Sequence, residues 1–163
     1  MKKQIFKAAV AVALVLASMN VSASTKADNN FLVLSTFALH FENFHERNAL
    51  TPGVGWEYSP SNRLGWNAGT LSDSFGFQSY YAGINYATRP MLSGRVRLLA
   101  GASIVHKQFK INGEPETKLL PFPALEVKLN RYAVLNVSGS PAVDFANHRN
   151  NAVLFFQYKL QLR

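Results

Sequence analysis

From residue 31 onward, apolar and polar residues alternate with a period of two, and turn-forming residues break the alternation about every ten positions. No stretch after Ser24 sustains the period of an amphipathic helix. The pattern predicts eight strands, at 31–41, 52–59, 63–71, 79–88, 94–105, 121–129, 131–139 and 152–162. In five of them one face is almost free of charge. The fourth presents Tyr80, Ala82, Ile84 and Tyr86, the fifth Val96, Leu98, Ala100, Ala102 and Ile104, and the eighth Leu154, Phe156, Tyr158, Leu160 and Leu162. The second and third add Val54, Trp56 and Tyr58, then Leu64, Trp66 and Ala68. Tyr and Trp towards the strand ends are what an aromatic girdle at a membrane surface requires.

The connections alternate in length. Residues 59–62, 89–93 and the corner at Asn130 are tight, whereas 42–51, 72–78, 106–120 and 140–151 are longer. Short turns on one side and long loops on the other, with an even strand count, predict an all-β fold: an eight-stranded antiparallel up-and-down transmembrane β-barrel. A soluble sandwich or lipocalin-like barrel also alternates, but it turns its apolar face inward and its charges outward.

Composition adds a compartment. Lys2, Lys3 and Lys7 precede an apolar run from Ala8 to Ala17, and small residues at Val21-Ser22-Ala23 follow. This is the layout of a secretory signal peptide, so residues 1–23 are expected to be a signal and 24–163 the barrel domain, exported through the periplasm to a Gram-negative outer membrane. The formal charge is +8, three lysines of which belong to the signal segment. For an exported chain, surplus Lys and Arg point to anionic lipid or lipopolysaccharide rather than to nucleic acid. There is no cysteine, hence no disulfide and no thiolate metal site.

The complementary faces predict the lumen. Near the inner end they supply Glu57, Arg63, Arg95, Arg97, Glu126, Lys128, Lys159 and Gln161, opposite charges able to pair into a floor. Above it stand Gly53, Gly55, Gly69, Gly83, Gly101, Leu99, Val105, Val153 and Phe155. An eight-stranded barrel holds either its own side chains or one slim ligand. The glycines are therefore read in two ways: as an apolar slot for a hydrocarbon chain, walled by Gly83, Gly69, Gly101, Leu99 and Phe155, or as relief of curvature.

Candidate chemistry gathers at the outer end. His40 closes the first strand, and Asp73-Ser74 opens the loop after the third. A histidine base, a serine and a carboxylate are the groups acyl transfer uses. Neighbouring Asp and Ser point opposite ways on a strand, so an acceptor hydroxyl deprotonated by His40 is as good a nucleophile as Ser74. Asp-Ser is also a common turn pair, and His45 is a rival histidine. The four histidines show no metal-ligand spacing, and no glycine-rich phosphate loop opens a helix. No metal and no cofactor are expected.

These pieces resemble the PagP family, outer-membrane lipid A palmitoyltransferases. Thr36-Phe37-Ala38-Leu39-His40 resembles the strand end that carries the family's active-site histidine, and Asp73-Ser74 stands where the family keeps its Asp-Ser pair. Asn43 to Gly55, with Glu46-Arg47 ahead of Pro52-Gly53, resembles the first outer loop. Gly83 followed by Thr88-Arg89-Pro90 resembles the fourth strand, whose glycine sets the depth of the acyl pocket. Pro121, Pro123 and Pro141 resemble the prolines that open the wall to lipid.

The resemblance implies transfer of an acyl chain from a phospholipid to lipid A by a monomer, with His40, Asp73 and Ser74 as the polar centre. Arg47, Lys107, Lys110 and Arg149 would meet acceptor phosphates. Two rivals remain open. One is a non-catalytic barrel that is structural, adhesive or binds a small solute or lipid; the other is a lipid acyl hydrolase.

Overall fold

The computed structural model describes residues 29–41, 47–110, 112–140, 143–145, 148–150 and 152–162. The expected signal segment, His45 and Pro141 lie outside them, as does the side chain of Arg149. The strands are β1 (Asn30–His40), β2 (Leu50–Tyr58), β3 (Leu64–Ser72), β4 (Gln78–Ala87), β5 (Val96–Gln108), β6 (Pro115–Pro121), β7 (Ala124–Lys128), β8 (Ala133–Ser140), β9 (Val143–Phe145), β10 (His148–Asn150) and β11 (Val153–Gln161). No helix occurs among the described residues.

β1 to β5 pair in sequence order, β7 joins β5 to β8, and β11 joins β8 back to β1. The ring is closed and every ladder in it is antiparallel. β6 and β7 lie in one register along β5, with Ala102 opposite Pro121 and Leu99 opposite Ala124. They form a single stave, so the barrel has the eight staves the alternation predicts. β9 and β10 make a separate small hairpin.

The expected outer loop at 106–120 is mostly strand. β5 runs on to Gln108, and its partner begins at Pro115 instead of at 121. The prolines there read as strand breakers in sequence. A proline costs a ladder only on the side its missing N–H would face. Phe122 exchanges both backbone hydrogen bonds with Gly101 of β5, at 2.8 and 3.1 Å. In an antiparallel strand its neighbours Pro121 and Pro123 therefore face the other way, towards β8. The β5 ladder survives, and among the described strands β6 is bonded to β5 alone.

The tight turns carry their own chemistry. Asn130 Oδ1 accepts from the N–H groups of Tyr132 and Ala133 at 2.8 and 3.0 Å. The turn before β5 has Leu92, Ser93 and Gly94 all at positive φ.

The two faces of the wall differ as the alternation predicts. Val54, Trp66, Ile84, Leu98, Ile104, Leu119 and Tyr158 are exposed on the outside. Glu57, Asn67, Asn85, Ser103, Glu126, Asn136, Ser138 and Lys159 are buried inside. A water-soluble barrel would reverse this arrangement.

At the inner end, Lys159 donates to Glu57 at 2.7 Å and also pairs with Glu126. Arg97 Nε donates to Glu126 at 2.6 Å, and its Nη1 donates to the Ser59 carbonyl at 3.0 Å. Of the charged residues expected at the floor, these four form the plug, while Arg63, Arg95 and Lys128 are exposed.

Candidate functional site at the mouth of the lumen

A β-bulge decides which way the candidate histidine points. Phe31 and Val33 are the buried residues of early β1, and the alternation carried straight on would turn His40 outward with Leu32 and Leu34. The register shifts between Ser35 and Phe37 against both neighbouring strands. Thr36 is the extra residue, and its hydroxyl donates to the Phe156 carbonyl at 2.8 Å. Beyond it the parity is inverted: Ala38 and His40 are buried, while Phe37 stacks outside on Phe156 with ring centroids 4.4 Å apart. An inserted residue re-aims every side chain after it until the strand ends.

His40 Nε2 lies 2.6 Å from Ser74 Oγ, and both residues are buried. His40 Nδ1 has no hydrogen-bond partner among the described residues. Asp73 is buried beside the pair without bonding to the histidine. Its Oδ1 accepts from the N–H groups of Phe75 and Phe77 at 2.9 and 3.0 Å. Its Oδ2 accepts from Ser79 Oγ at 3.1 Å and from the Gln108 N–H at 3.0 Å. The carboxylate thus ties the β3–β4 turn to the outer end of β5 and holds Ser74 in place. The arrangement is a His–Ser pair with a structural carboxylate next to it, not a relay of three. The pair can pass a proton between imidazole and hydroxyl, the step that activates an oxygen nucleophile.

A cavity leads inward from this pair. His40, Ser74, Arg47 and Lys107 border its mouth, Leu71, Val105, Phe122, Val153 and Phe155 its walls, and Asn67, Gln157 and Glu57 its inner part. Of the residues expected to wall a slot, Phe155 borders the cavity. Leu99 packs instead with Ala87, Ala124 and Phe122.

The glycines leave no open slot. The Tyr81 hydroxyl occupies the places where side chains on Gly55 and Gly69 would begin, and Ser103 Oγ does the same at Gly83. At Gly101 the space is taken by the backbone of Ile84 and Asn85. These positions are glycine because neighbouring strands and Tyr81 come close.

Two of the expected rim cations, Arg47 and Lys107, border the cavity, over the Phe75 and Phe109 rings at 5.1 and 5.3 Å. Lys110 stands 3.8 Å from Glu116. Lys118, absent from the expected set, lies 3.0 Å from Glu116 and 4.4 Å from the Phe109 ring. Tyr81, Asn67 and Ser103, outside the expected site, also border the cavity on the inward parity of their strands, and Ser138 joins them from a strand whose facing the sequence left open.

Pro121 and Pro123 lie at the outer end of the described ladder between β7 and β8. The ladder of β7 on β8 ends with Gly139 N–H donating to the Pro123 carbonyl at 3.2 Å. Beyond it β6 continues without a partner on that side among the described residues. A groove on the outside is lined there by Phe41, Pro123, Gly139, Ser140, Ala152, Val153 and Leu154.

No family model matches this chain, so the resemblance to the PagP family gains no support from that comparison. No curated protein matches it either. Among solved structures, the chain is similar to the crystal structure of the N-terminal β-barrel domain of Pseudomonas aeruginosa OprF. The TM-score is 0.48 and the identity 11%, and the match covers 83% of this chain and 100% of that one. With its own strand pairing closed around the ring, the chain is an eight-stave, all-antiparallel β-barrel.

Proposed function

We propose that this chain is a small outer-membrane barrel that admits one acyl chain of a membrane lipid sideways into its lumen. The observation that carries this is the seam beside β6. Gly139, Ser140 and Val153 border both the internal cavity and the outer groove, beside the Pro123–Gly139 bond at which the ladder between β7 and β8 ends. A membrane setting is supported by the apolar outer face, the buried charges, and the Tyr58, Trp66 and Tyr86 cluster near the inner turns. Arg47 and Lys107 at the mouth suit an anionic headgroup.

The test is a phospholipid bearing a photoreactive group along one acyl chain, incorporated with the folded barrel into bilayers. Crosslinks to luminal Val105 and Phe155 are expected. Crosslinks confined to outward residues such as Ile104 and Tyr158 would overturn the proposal.

A second reading is favoured by the contact between His40 and Ser74. With the imidazole as base, His40 would take the proton of a lipid A hydroxyl, as in PagP-like transfer, or of water, as in a hydrolase; that oxygen would bond the acyl carbon as the phospholipid's ester bond breaks, and the leaving lysophospholipid oxygen would receive the proton from the imidazolium. Mass spectrometry of lipid A and free fatty acid from cells expressing the wild type or His40→Ala separates these outcomes. A heavier lipid A that depends on His40 means transfer, and released fatty acid alone means hydrolysis. Neither product leaves a barrel that binds lipid without reacting it.

A further inference from the structure

We propose that the ligand of this lumen carries a hydroxyl on its inner half, as an oxygenated acyl chain does, rather than being a plain hydrocarbon; this rests on the acyl-chain reading above. The walls near the mouth include Leu71, Val105 and Phe155, but further in the cavity meets Ser35, Glu57, Asn67, Ser103, Ser138 and Gln157. Most luminal polar groups in a small barrel satisfy one another, and several do so here. Asn136 Nδ2 donates to Gln157 Oε1 at 2.9 Å, Gln157 Nε2 donates to Ser35 Oγ at 3.2 Å, and Glu57 is held by Lys159.

Asn67 and Ser138 stand outside that network. They are 5% and 2% exposed, both border the cavity, and Asn67 Oδ1 and Ser138 Oγ have no hydrogen-bond partner among the described residues. Asn67 lies deep: it is in register with Glu57, which is in register with Phe31 near the start of β1, whereas His40 ends that strand. Asn67 is on β3 and Ser138 on β8, with three staves between them either way round the ring. A chain end lying along the axis of so narrow a barrel has one of them on each side.

A methyl-terminated chain would seal both groups away from water with nothing to bond. A hydroxyl is donor and acceptor at once. It can donate to the Asn67 oxygen, or bond the Ser138 hydroxyl in either direction, while its carboxylate or phosphate end stays with Arg47 and Lys107. Sites built around a ligand hydroxyl reject the analogue that lacks it, because their own polar groups are left unpaired.

The experiment compares dodecanoic, tetradecanoic and hexadecanoic acids with their ω-hydroxy counterparts, so that the hydroxyl is carried to different depths. Occupancy of the intact folded barrel is counted by native mass spectrometry after release from detergent micelles, where partition into the micelle does not register. At one length the hydroxy acid is expected to bind at least about fivefold tighter than the unsubstituted acid. Asn67→Leu should abolish or reverse that preference, and Ser138→Ala, which deletes one oxygen, should narrow it; the second variant stands in if the first does not fold. Equal or tighter binding of the unsubstituted acid at every length would overturn the inference. So would a preference that survives both substitutions. Binding of neither series would instead remove the acyl-chain reading and this inference with it.

Discussion

At the inner end of the lumen, Lys159, Glu57, Glu126 and Arg97 are enclosed together, with two positive groups facing two negative ones. At the mouth, His40 bonds Ser74 through one ring nitrogen and leaves the other without a partner among the described residues, beside the cations Arg47 and Lys107. Both regions are polar and buried in the same tube. The inner one is complete, and a complete buried network fixes the fold while offering a ligand nothing. The outer one is incomplete and borders open space, the condition for binding or chemistry. What separates plug from site is therefore unmet bonding capacity next to a cavity, not polarity.

The comparison can be broken by substitution. Lys159→Met should have the largest effect on stability, since it leaves two buried carboxylates facing each other. A loss of about 3–5 kcal/mol is expected in urea unfolding of the barrel in bilayers. A loss under about 1 kcal/mol would mean that the floor is not what holds the staves together.

Asp73→Asn comes next. It places an amide N–H₂ against the donors that Oδ2 now accepts, Ser79 Oγ and the Gln108 N–H. About 1–3 kcal/mol should be lost in the same assay, with increased hydrogen exchange at Phe75, Phe77 and Gln108.

His40→Ala should change stability by only about 1 kcal/mol, because its ring faces a cavity rather than packed neighbours. If the barrel transfers or hydrolyses acyl groups, the same variant should lose activity by about 10²–10⁴-fold, a split that marks a working site. The smallest effect is expected at the outer hairpin. Glu116, 41% exposed and paired with Lys118 and Lys110, should contribute only about a few tenths of a kcal/mol when changed to Gln.

Much of this was legible beforehand. Alternation places seven staves within a few residues, and parity alone assigns Glu57, Arg97, Glu126 and Lys159 to the lumen. The same parity places Tyr81 and Asn67 inside. They were passed over because glycine, which removes side chains, reads as space. Space in a barrel belongs to whichever neighbour reaches it, and Tyr81 fills the gap at Gly55 and Gly69 from a strand away. The β5–β6 hairpin is longer than expected because Pro121 signals interruption without saying on which side.

By itself, then, the sequence determined the number of staves, the apolar outside, the opposite charges of the floor and the turn chemistry. Each of these follows from a local rule: a period of two, or a turn residue's own backbone preference. Three things waited for the tertiary structure. The bulge at Thr36 turned His40 inward, and a single inserted residue leaves no mark in composition yet flips every side chain beyond it. The missing N–H groups of Pro121 and Pro123 came to face β8, which depends on which partner takes the bonds of Phe122. Asp73 took up backbone donors from two separate segments, a choice fixed only when β5 is brought against the β3–β4 turn. Facing is written along one strand, whereas pairing is settled between two.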